Sequence, residues 1–108
     1  MLIEIPVSPI ANQRFSLELD KQQVEIELRQ IGPALMCSVW VDEQVVFQNS
    51  ICGNISRVGQ FKSNLFDGVL FFVDTQGTSD PVFTGLGERF KFYFASVDDE
   101  FYSKVESV

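Results

Sequence analysis

Few residues in this chain have the types and spacing that catalysis requires. The 108 residues include no histidine, which excludes a Ser-His-Asp or Cys-His catalytic site, since both need an imidazole base. The acidic residues fall mostly in alternating polar positions or in turns, a placement that does not favour a pair of catalytic carboxylates. We therefore predict a non-enzymatic protein with no catalytic residues and no cofactor.

Metal binding is the next chemistry that the sequence can be tested for. The segment from Asp74 to Asp80, DTQGTSD, faintly resembles a calcium loop, but it lacks the closely spaced carboxylates and final glutamate of an EF-hand. Without histidine, Cys37 and Cys52 cannot supply the usual four ligands of a zinc site. We predict no metal site and interpret both cysteines as free, buried thiols that pack as small hydrophobic side chains.

The net charge narrows the class of partner. The chain carries 15 acidic and 8 basic residues, a net charge of −7, whereas nucleic-acid binding relies on lysine and arginine contacts to phosphate. We therefore expect no stable nucleic-acid binding; the acidic surface serves solubility, or alternatively forms a wall that DNA passes without sticking. The apolar runs are far shorter than the roughly 20 residues of a membrane-spanning helix, so we also expect no membrane association.

Two strongly β-prone segments organise the chain. An unbroken apolar run occupies residues 69–73, and in residues 90–94 three phenylalanines alternate with Lys91 and Tyr93, so that their rings share one face of a strand. The residues between the two segments are rich in glycine, with one Asp-Pro pair, and supply turns. The pattern predicts two adjacent antiparallel strands joined by a loop that backbone geometry orders.

Further strands are predicted upstream of this pair. Residues 15–19 and 24–28 alternate strictly between apolar and polar side chains on either side of a short turn, the pattern of a hairpin with one buried face. Residues 34–41 are apolar on both faces, as in a strand that is covered on both sides or lies in an interface. A second turn leads into a strand at 44–49.

The N-terminal segment, residues 1–13, is predicted to be an arm. Pro6 and Pro9 bias the residues before them towards extended geometry. We interpret the segment as an edge strand at 2–5 followed by an extended stretch, which folds over its own sheet or reaches a neighbouring subunit.

Two other regions give weaker signals. From residue 50 to residue 67 the periodicity fades, and the apolar residues there are interpreted as anchors beneath a long loop: Ile51, Ile55, Val58, Phe61, Leu65 and Phe66. Near the C-terminus, Ser96 is a candidate cap for a short helical turn, and residues 103–108 are predicted to form a frayed tail.

The strands together predict one domain spanning residues 1–108. Their regular spacing is typical of an all-β fold, a small antiparallel β-barrel or sandwich of about six to seven strands with at most a short C-terminal helical turn. The predicted core consists of apolar residues on the buried faces of these strands: Phe15, Leu17, Val24, Ile26, Leu28, Leu70, Phe72, Phe90, Phe92 and Phe94.

The order of these features resembles a known family. An opening Ile-Pro with a second proline precedes Asn12-Gln13-x-Phe15, a hairpin, a Trp-bearing strand and a glycine-led apolar strand ending in Asp74. Asp80-Pro81, Leu86-Gly87 and an aromatic strand through Tyr93 follow. This set, over residues 3–95, is similar to the small baseplate plug proteins of contractile-tailed bacteriophages, first recognised in a cyanophage.

The resemblance implies a function that composition alone does not. It implies a structural protein of the virion tail baseplate, assembled in the host bacterial cytoplasm, that helps to close the tail tube near the hub and spike. Its expected partners are the hub, spike and tail-tube proteins, and a homo-oligomer is a further expectation. The residues expected to contact partners lie in the arm and in the loop before the last strand: Pro6, Pro9, Asn12, Asp80, Pro81, Leu86 and Gly87.

Two alternative functions remain open from the sequence. The first is a tail-tube or tube-initiator-like β-barrel protein that forms rings. The second is a small β-barrel module that binds a ligand such as a sugar or a lipid, against which stands the presence of a single tryptophan.

Overall fold

The computed structural model describes residues 1–59, 66 and 68–106. Within them the chain forms seven strands, which are β1 (Leu2–Ile5), β2 (Asn12–Leu19), β3 (Gln22–Ile31), β4 (Ala34–Val41), β5 (Gln44–Ile51), β6 (Val69–Asp74) and β7 (Phe90–Ala95). A 3-10 turn at Phe83–Gly85 precedes β7, and a helix, α1 (Glu100–Glu106), follows it. The prediction of an all-β, antiparallel fold with a short C-terminal helix is confirmed.

Four strands form one antiparallel sheet in the order β2-β3-β4-β5. Its first and last hairpins turn through Asp20 and Lys21 (φ 48° and 69°) and through Asp42 and Glu43 (φ 49° and 68°). Two-residue turns with both φ values positive match the right-handed twist of the flanking strands. The first hairpin therefore forms where the alternating pattern predicts it and the second where the Asp42-Glu43 turn predicts it, and their turns lie at the same end of the sheet.

The other three strands form a second antiparallel sheet in the order β1-β7-β6. The N-terminal strand pairs with β7, with Ile5 opposite Phe92, so the predicted edge strand lies on the chain's own sheet. On the far side of β6, Asn54 and Val58 form isolated bridges to Phe72 and Leu70. This short segment satisfies part of the edge of β6, as covering loops commonly do.

The core lies between the two sheets. Both sheets contribute fully buried residues to one hydrophobic cluster, including Ile26 and Leu28 from β3 and Phe72, Phe92 and Phe94 from β6 and β7. Such packing of two inner faces is the sandwich arrangement. Eight of the ten predicted core residues are buried: Val24, Ile26, Leu28, Leu70, Phe72, Phe90, Phe92 and Phe94.

The two remaining members of the predicted core, Phe15 and Leu17, are only partly buried. They lie on β2, an edge strand of the four-stranded sheet. An edge strand has a neighbour on one side only, so its inward side chains are less completely covered than those of the central β3 and β4.

Part of the anchor prediction for residues 50–67 is wrong. Ile51 and Ile55 are 64% and 47% exposed, whereas Val58 is buried and Phe66 is partly buried. Ile51 ends an edge strand on its outer face, and Ile55 adopts a positive φ of 50° in a turn, so neither side chain is directed into the core. The predicted anchors Phe61 and Leu65 lie outside the described residues.

The C-terminal prediction needs two corrections. Ser96 does not cap the helix; its hydroxyl contacts Asp98 and the N-terminal amine, and the cap is Asp99, whose Oδ1 accepts the Phe101 N–H at 2.9 Å. Residues 103–106, predicted to be frayed, belong to α1, while 107–108 lie outside the described residues. The helix packs through Phe101 and Tyr102 on an apolar cluster of the three-stranded sheet. This tertiary contact stabilises a helix that is too short to be stable alone.

Candidate partner-contact surfaces

The loop between β6 and β7 is held by the carboxylate of Asp74. Its Oδ1 accepts hydrogen bonds from Arg89 Nε at 2.8 Å and from the Gln76 N–H at 2.9 Å, and its Oδ2 accepts from Arg89 Nη2 and the Ser79 N–H, each at 2.8 Å. The side chain of Asp74 is fully buried. A buried carboxylate with a bidentate arginine partner and two backbone donors fixes the loop in one conformation.

This arrangement determines the charge state of Asp74. The hydrogen bonds from Arg89 hold the pKa of the Asp74 carboxyl well below its ordinary value, with further lowering by the backbone N–H groups of Gln76 and Ser79. The same pair raises the pKa of the Arg89 guanidinium. Because protein donors contact both oxygens, the segment that faintly resembles a calcium loop is ordered by an ion pair. Among the described residues no group of three or more histidine, cysteine, aspartate or glutamate side chains is placed to hold a metal.

The loop residues predicted to contact partners fall into two groups. Asp80 is exposed, and its Oδ1 accepts the Asn54 N–H at 3.0 Å. Pro81 and Leu86 are buried within the chain, Leu86 completely. Their side chains attach the loop to the core, so within this loop the longest run that a partner can reach is residues 75–80, all of which are exposed.

Gly87 joins the end of this loop to the N-terminal arm. It has a φ of 84°, and a Cβ atom added there would lie 2.5 Å from the Val7 carbonyl oxygen. Only glycine combines a positive φ with so close a backbone approach. Lys91 reinforces the junction, since its Nζ donates to the Gly87 carbonyl at 2.9 Å and lies 3.5 Å from the Glu4 carboxylate.

The arm carries the remaining residues that the sequence predicts as contacts. Pro6, Pro9 and Asn12 are all exposed, and Ile10 between them is 50% exposed. Gln13 holds this bend, because its side chain accepts the Ser8 N–H at 3.1 Å and donates to the Ser8 carbonyl at 2.7 Å. The arm is therefore the bent connection between β1 and β2, and it presents an ordered, partly apolar tip.

The two cysteines are not part of an exposed reactive site. Cys37 and Cys52 are free and buried, as the sequence predicts. Burial raises the pKa of the Cys37 thiol well above its ordinary value. Neither thiol is suited to act as a nucleophile.

A further exposed surface was not found from the sequence. On the outer face of the four-stranded sheet, the guanidinium carbon of Arg14 lies 4.3 Å from the centroid of the Trp40 ring, and Arg14 also pairs with Glu25 and Glu27. The two-sided apolar pattern of residues 34–41 predicts a strand that is covered on both sides or lies in an interface, and the interface stays a prediction. The pattern could not show that charged residues of β2 and β3 surround the indole.

The comparisons with known proteins decide the family. The model of the cyanophage baseplate Pam3 plug gp18 family matches residues 2–98, which is nearly the whole of the 108-residue chain. The chain belongs to this baseplate plug family. No curated protein matches the chain.

Membership in the plug family carries a coarse function with it. The family is a structural one of the phage tail baseplate, so the chain belongs to a virion assembly and its contacts are with other baseplate proteins. The matched region contains the arm, the Asp74 loop and all seven strands, and it ends before α1. No helix among the described residues is long and apolar enough to cross a membrane.

Proposed function

We propose that this plug is a non-catalytic component of the baseplate that helps to close the tail tube, near the hub and spike, through protein–protein contacts. The observation that supports this most directly is the family match over residues 2–98. In this proposal the protein assembles in the host bacterial cytoplasm, and its function is to occupy a position in the virion until infection.

Two exposed segments are the proposed contact surfaces. The arm tip comprises residues 6–12, in which Pro6, Pro9 and Asn12 are exposed, and the loop tip comprises residues 75–80, which are all exposed. Both segments are ordered before binding, the arm by Gln13 and the loop by Asp74. A preordered surface loses little conformational entropy when a partner docks. Exposed, ordered connections on a rigid scaffold are also common sites of function.

The acidic composition supports a position at the axis of the tube. With a net charge of −7, the plug repels phosphate groups of like sign. A wall of this kind would let the genome pass without trapping it. The same charge is unsuited to stable nucleic-acid binding.

The test uses substitutions on exposed positions, because deletion of residues 1–9 would remove β1 and the buried Ile5. Ile10→Asp alters the arm tip and Thr78→Arg the loop tip. Val97→Asp is the matched control, since Val97 is 57% exposed and Ile10 50% and Val97 lies in neither segment. Circular dichroism and melting temperature confirm folding, and co-sedimentation with recombinant hub, spike and tube proteins of the same phage measures assembly.

We expect both test variants to fold and to lose co-assembly while Val97→Asp retains it. Assembly of both variants at the wild-type level would remove these segments from the mechanism. A wild-type protein that binds none of the three partners would refute the proposed function itself.

A ring-forming tube protein is the second candidate. Its support is the sheet order, which places β2 and β5 at opposite edges of the four-stranded sheet, where strand pairing between copies could propagate. Sedimentation velocity of the purified chain separates the two candidates: a closed ring supports the tube protein, and a monomer supports the plug. The ligand-binding alternative is less well supported, since two cavities on the surface measure about 220 and 260 Å³, below the about 300–1,000 Å³ usual for ligand sites.

A further inference from the structure

The outer face of the four-stranded sheet has an aromatic and acidic recess at the end where the two hairpin turns lie. Trp40 is half-buried near the C-terminal end of β4, with Glu25 opposite it on β3 and Val45 opposite it on β5. A cavity of about 220 Å³ lies beside the indole, lined by Ser16, Gln23, Glu25, Trp40, Asp42 and Glu43. We call this recess the Trp40 groove.

The charge of the Trp40 groove is one-sided. Three of its lining residues, Glu25, Asp42 and Glu43, are carboxylates. Arg14 compensates Glu25, but among the described residues neither Asp42 nor Glu43 forms an ion pair within 4 Å. The groove therefore offers an aromatic surface beside two uncompensated negative charges.

The chain itself displays the chemistry that such a groove recognises. The Arg14 guanidinium stacks over Trp40 at 4.3 Å and pairs with the neighbouring carboxylate of Glu25. Arg14 contacts the Trp40 ring but does not line the cavity, whereas Trp40, Asp42 and Glu43 do. An arginine or lysine side chain from another protein that enters the cavity would therefore lie beside the indole and pair with Asp42 and Glu43. A cation beside a tryptophan is attracted by the ring as well as by the carboxylates.

Apolar residues extend this face away from the groove. Ile31 is 44% and Ile51 64% exposed, and Met36, which is opposite Ile51 in the sheet, is half-buried. We call these three residues the apolar end. It begins about 13 Å from the groove, the length of four residues along β4 from Met36 to Trp40. One face thus combines a cation-binding recess with an exposed apolar patch.

We propose that this face is a docking surface for a neighbouring baseplate protein, which inserts an arginine or lysine side chain into the Trp40 groove and lays apolar side chains on the apolar end. The inference rests on the proposed function for the existence of such a neighbour. It goes beyond that function in assigning a third surface and the chemistry of its partner. Charge complementarity selects the occupant, because an acidic groove on a chain of net charge −7 attracts a basic segment.

The first experiment measures the groove directly, because Trp40 is the chain's single tryptophan and its fluorescence reports on this site alone. The probe is a capped seven-residue peptide of alternating arginine and valine, compared with one in which glutamine replaces arginine. We expect the arginine peptide to change the Trp40 emission saturably, and more weakly at high salt, and the glutamine peptide to leave it unchanged. No saturable change with the arginine peptide would overturn the proposal.

Two double variants then test whether peptide binding depends on the carboxylates of the groove or on the net charge of the chain. Asp42→Asn with Glu43→Gln removes two charges from the groove, and Asp20→Asn with Glu18→Gln removes two charges at the same end of the sheet, outside the groove. Asp20 and Asp42 share the same turn conformation, with φ 48° and 49°. We expect the groove variant to weaken peptide binding by up to about fivefold for each charge, as exposed ion pairs allow, and the control to change it less than twofold. Equal weakening in both would assign binding to net charge and overturn the proposal.

Co-assembly separates this inference from the proposed function. If wild-type plug binds a baseplate protein and the groove variant binds it equally well, the docking surface is wrong although the function stands. Weaker binding by the groove variant, with normal binding by the control, supports the surface. Concentration-dependent self-association of the plug that the groove variant abolishes would make the occupant a second copy, and would overturn the assignment to a basic partner.

Discussion

Removing the ring of Phe92 should be among the most damaging single changes to this protein. Phe92 is completely buried at the centre of the three-stranded sheet, where it pairs with Ile5 on β1 and Phe72 on β6. Its ring stacks on Phe72 with centroids 4.2 Å apart and planes 7° from parallel. Phe92→Ala therefore leaves a cavity between the neighbouring strands and the opposing sheet.

The size of the loss follows from the structure. Phe→Ala changes in well-packed cores cost about 3–5 kcal/mol, including the cavity left behind, and the stacked pair places this site in the upper part of that range. For a domain of this size, about 4–8 °C of melting temperature is lost for each kcal/mol. We expect the melting temperature to fall by at least about 12 °C, measured by circular dichroism, with the free energy of unfolding taken from urea titration.

Phe15→Ala is the matched control for this change. It removes the same atoms from the core side of β2, where the ring is only partly buried, and should cost about half as much or less, in proportion to the apolar area that it withdraws from water. A loss below about 1 kcal/mol for Phe92→Ala would show that the ring is not in a packed core. Equal losses at the two positions would contradict the assignment of β2 to a sheet edge.

Three further predictions concern the loop between β6 and β7. Because the folded-state pKa of Asp74 lies below its ordinary 3.8, the carboxylate stabilises the plug fully above that pH and progressively less as the pH falls through the folded value. Melting temperatures measured from pH 7 to pH 2 should therefore decline more steeply below about pH 4 for wild type than for Asp74→Asn. Asp80→Asn is the control. Parallel curves for wild type and Asp74→Asn would argue against the ion pair. A chelator should leave the melting temperature unchanged, since protein groups occupy the Asp74 oxygens, and a clear drop would revive the calcium interpretation. Gly87→Ala and Gly32→Ala both place a side chain at positive φ, but of the two only the one at position 87 would meet backbone, the Val7 carbonyl oxygen at 2.5 Å. The free energy of unfolding of Gly87→Ala should therefore fall by about 1–3 kcal/mol more than that of Gly32→Ala. Equal losses would mean that the arm moves freely.

The fold was predictable where a local pattern carries the information. The alternation in β2 and β3, the apolar run of β6 and the phenylalanine spacing of β7 each predict a strand, because side chains on a strand point to opposite faces in turn. Strand periodicity does not specify which strands share a sheet. It therefore gave neither the pairing of β1 with β7 nor the bridges from Asn54 and Val58 to β6.

The candidate sites were predictable only in outline. Turn residues correctly indicated an ordered loop. The ion pair that holds this loop joins Asp74 to Arg89, fifteen positions apart, and residue spacing does not predict contacts over such a separation within a loop. Leu86 was expected at a surface and is buried, because a glycine-rich segment can fold a single apolar side chain back into the core. The Trp40 groove requires residues from β2, β3, β4 and the following turn, so it exists only once the register is known.

The two sheets expose their outer faces to different degrees, and this difference constrains how the plug assembles. On the three-stranded sheet, α1 packs over the outward residues Val69, Phe71 and Ala95, so part of that face is already closed within the chain. On the four-stranded sheet, Val45, opposite Trp40, is 50% exposed, and Ile51, in the apolar end, is 64% exposed. α1 lies outside the matched residues 2–98, whereas the strands of the open face lie within them. A surface for a partner is therefore best sought on the four-stranded sheet, where no segment of the described chain covers these apolar side chains.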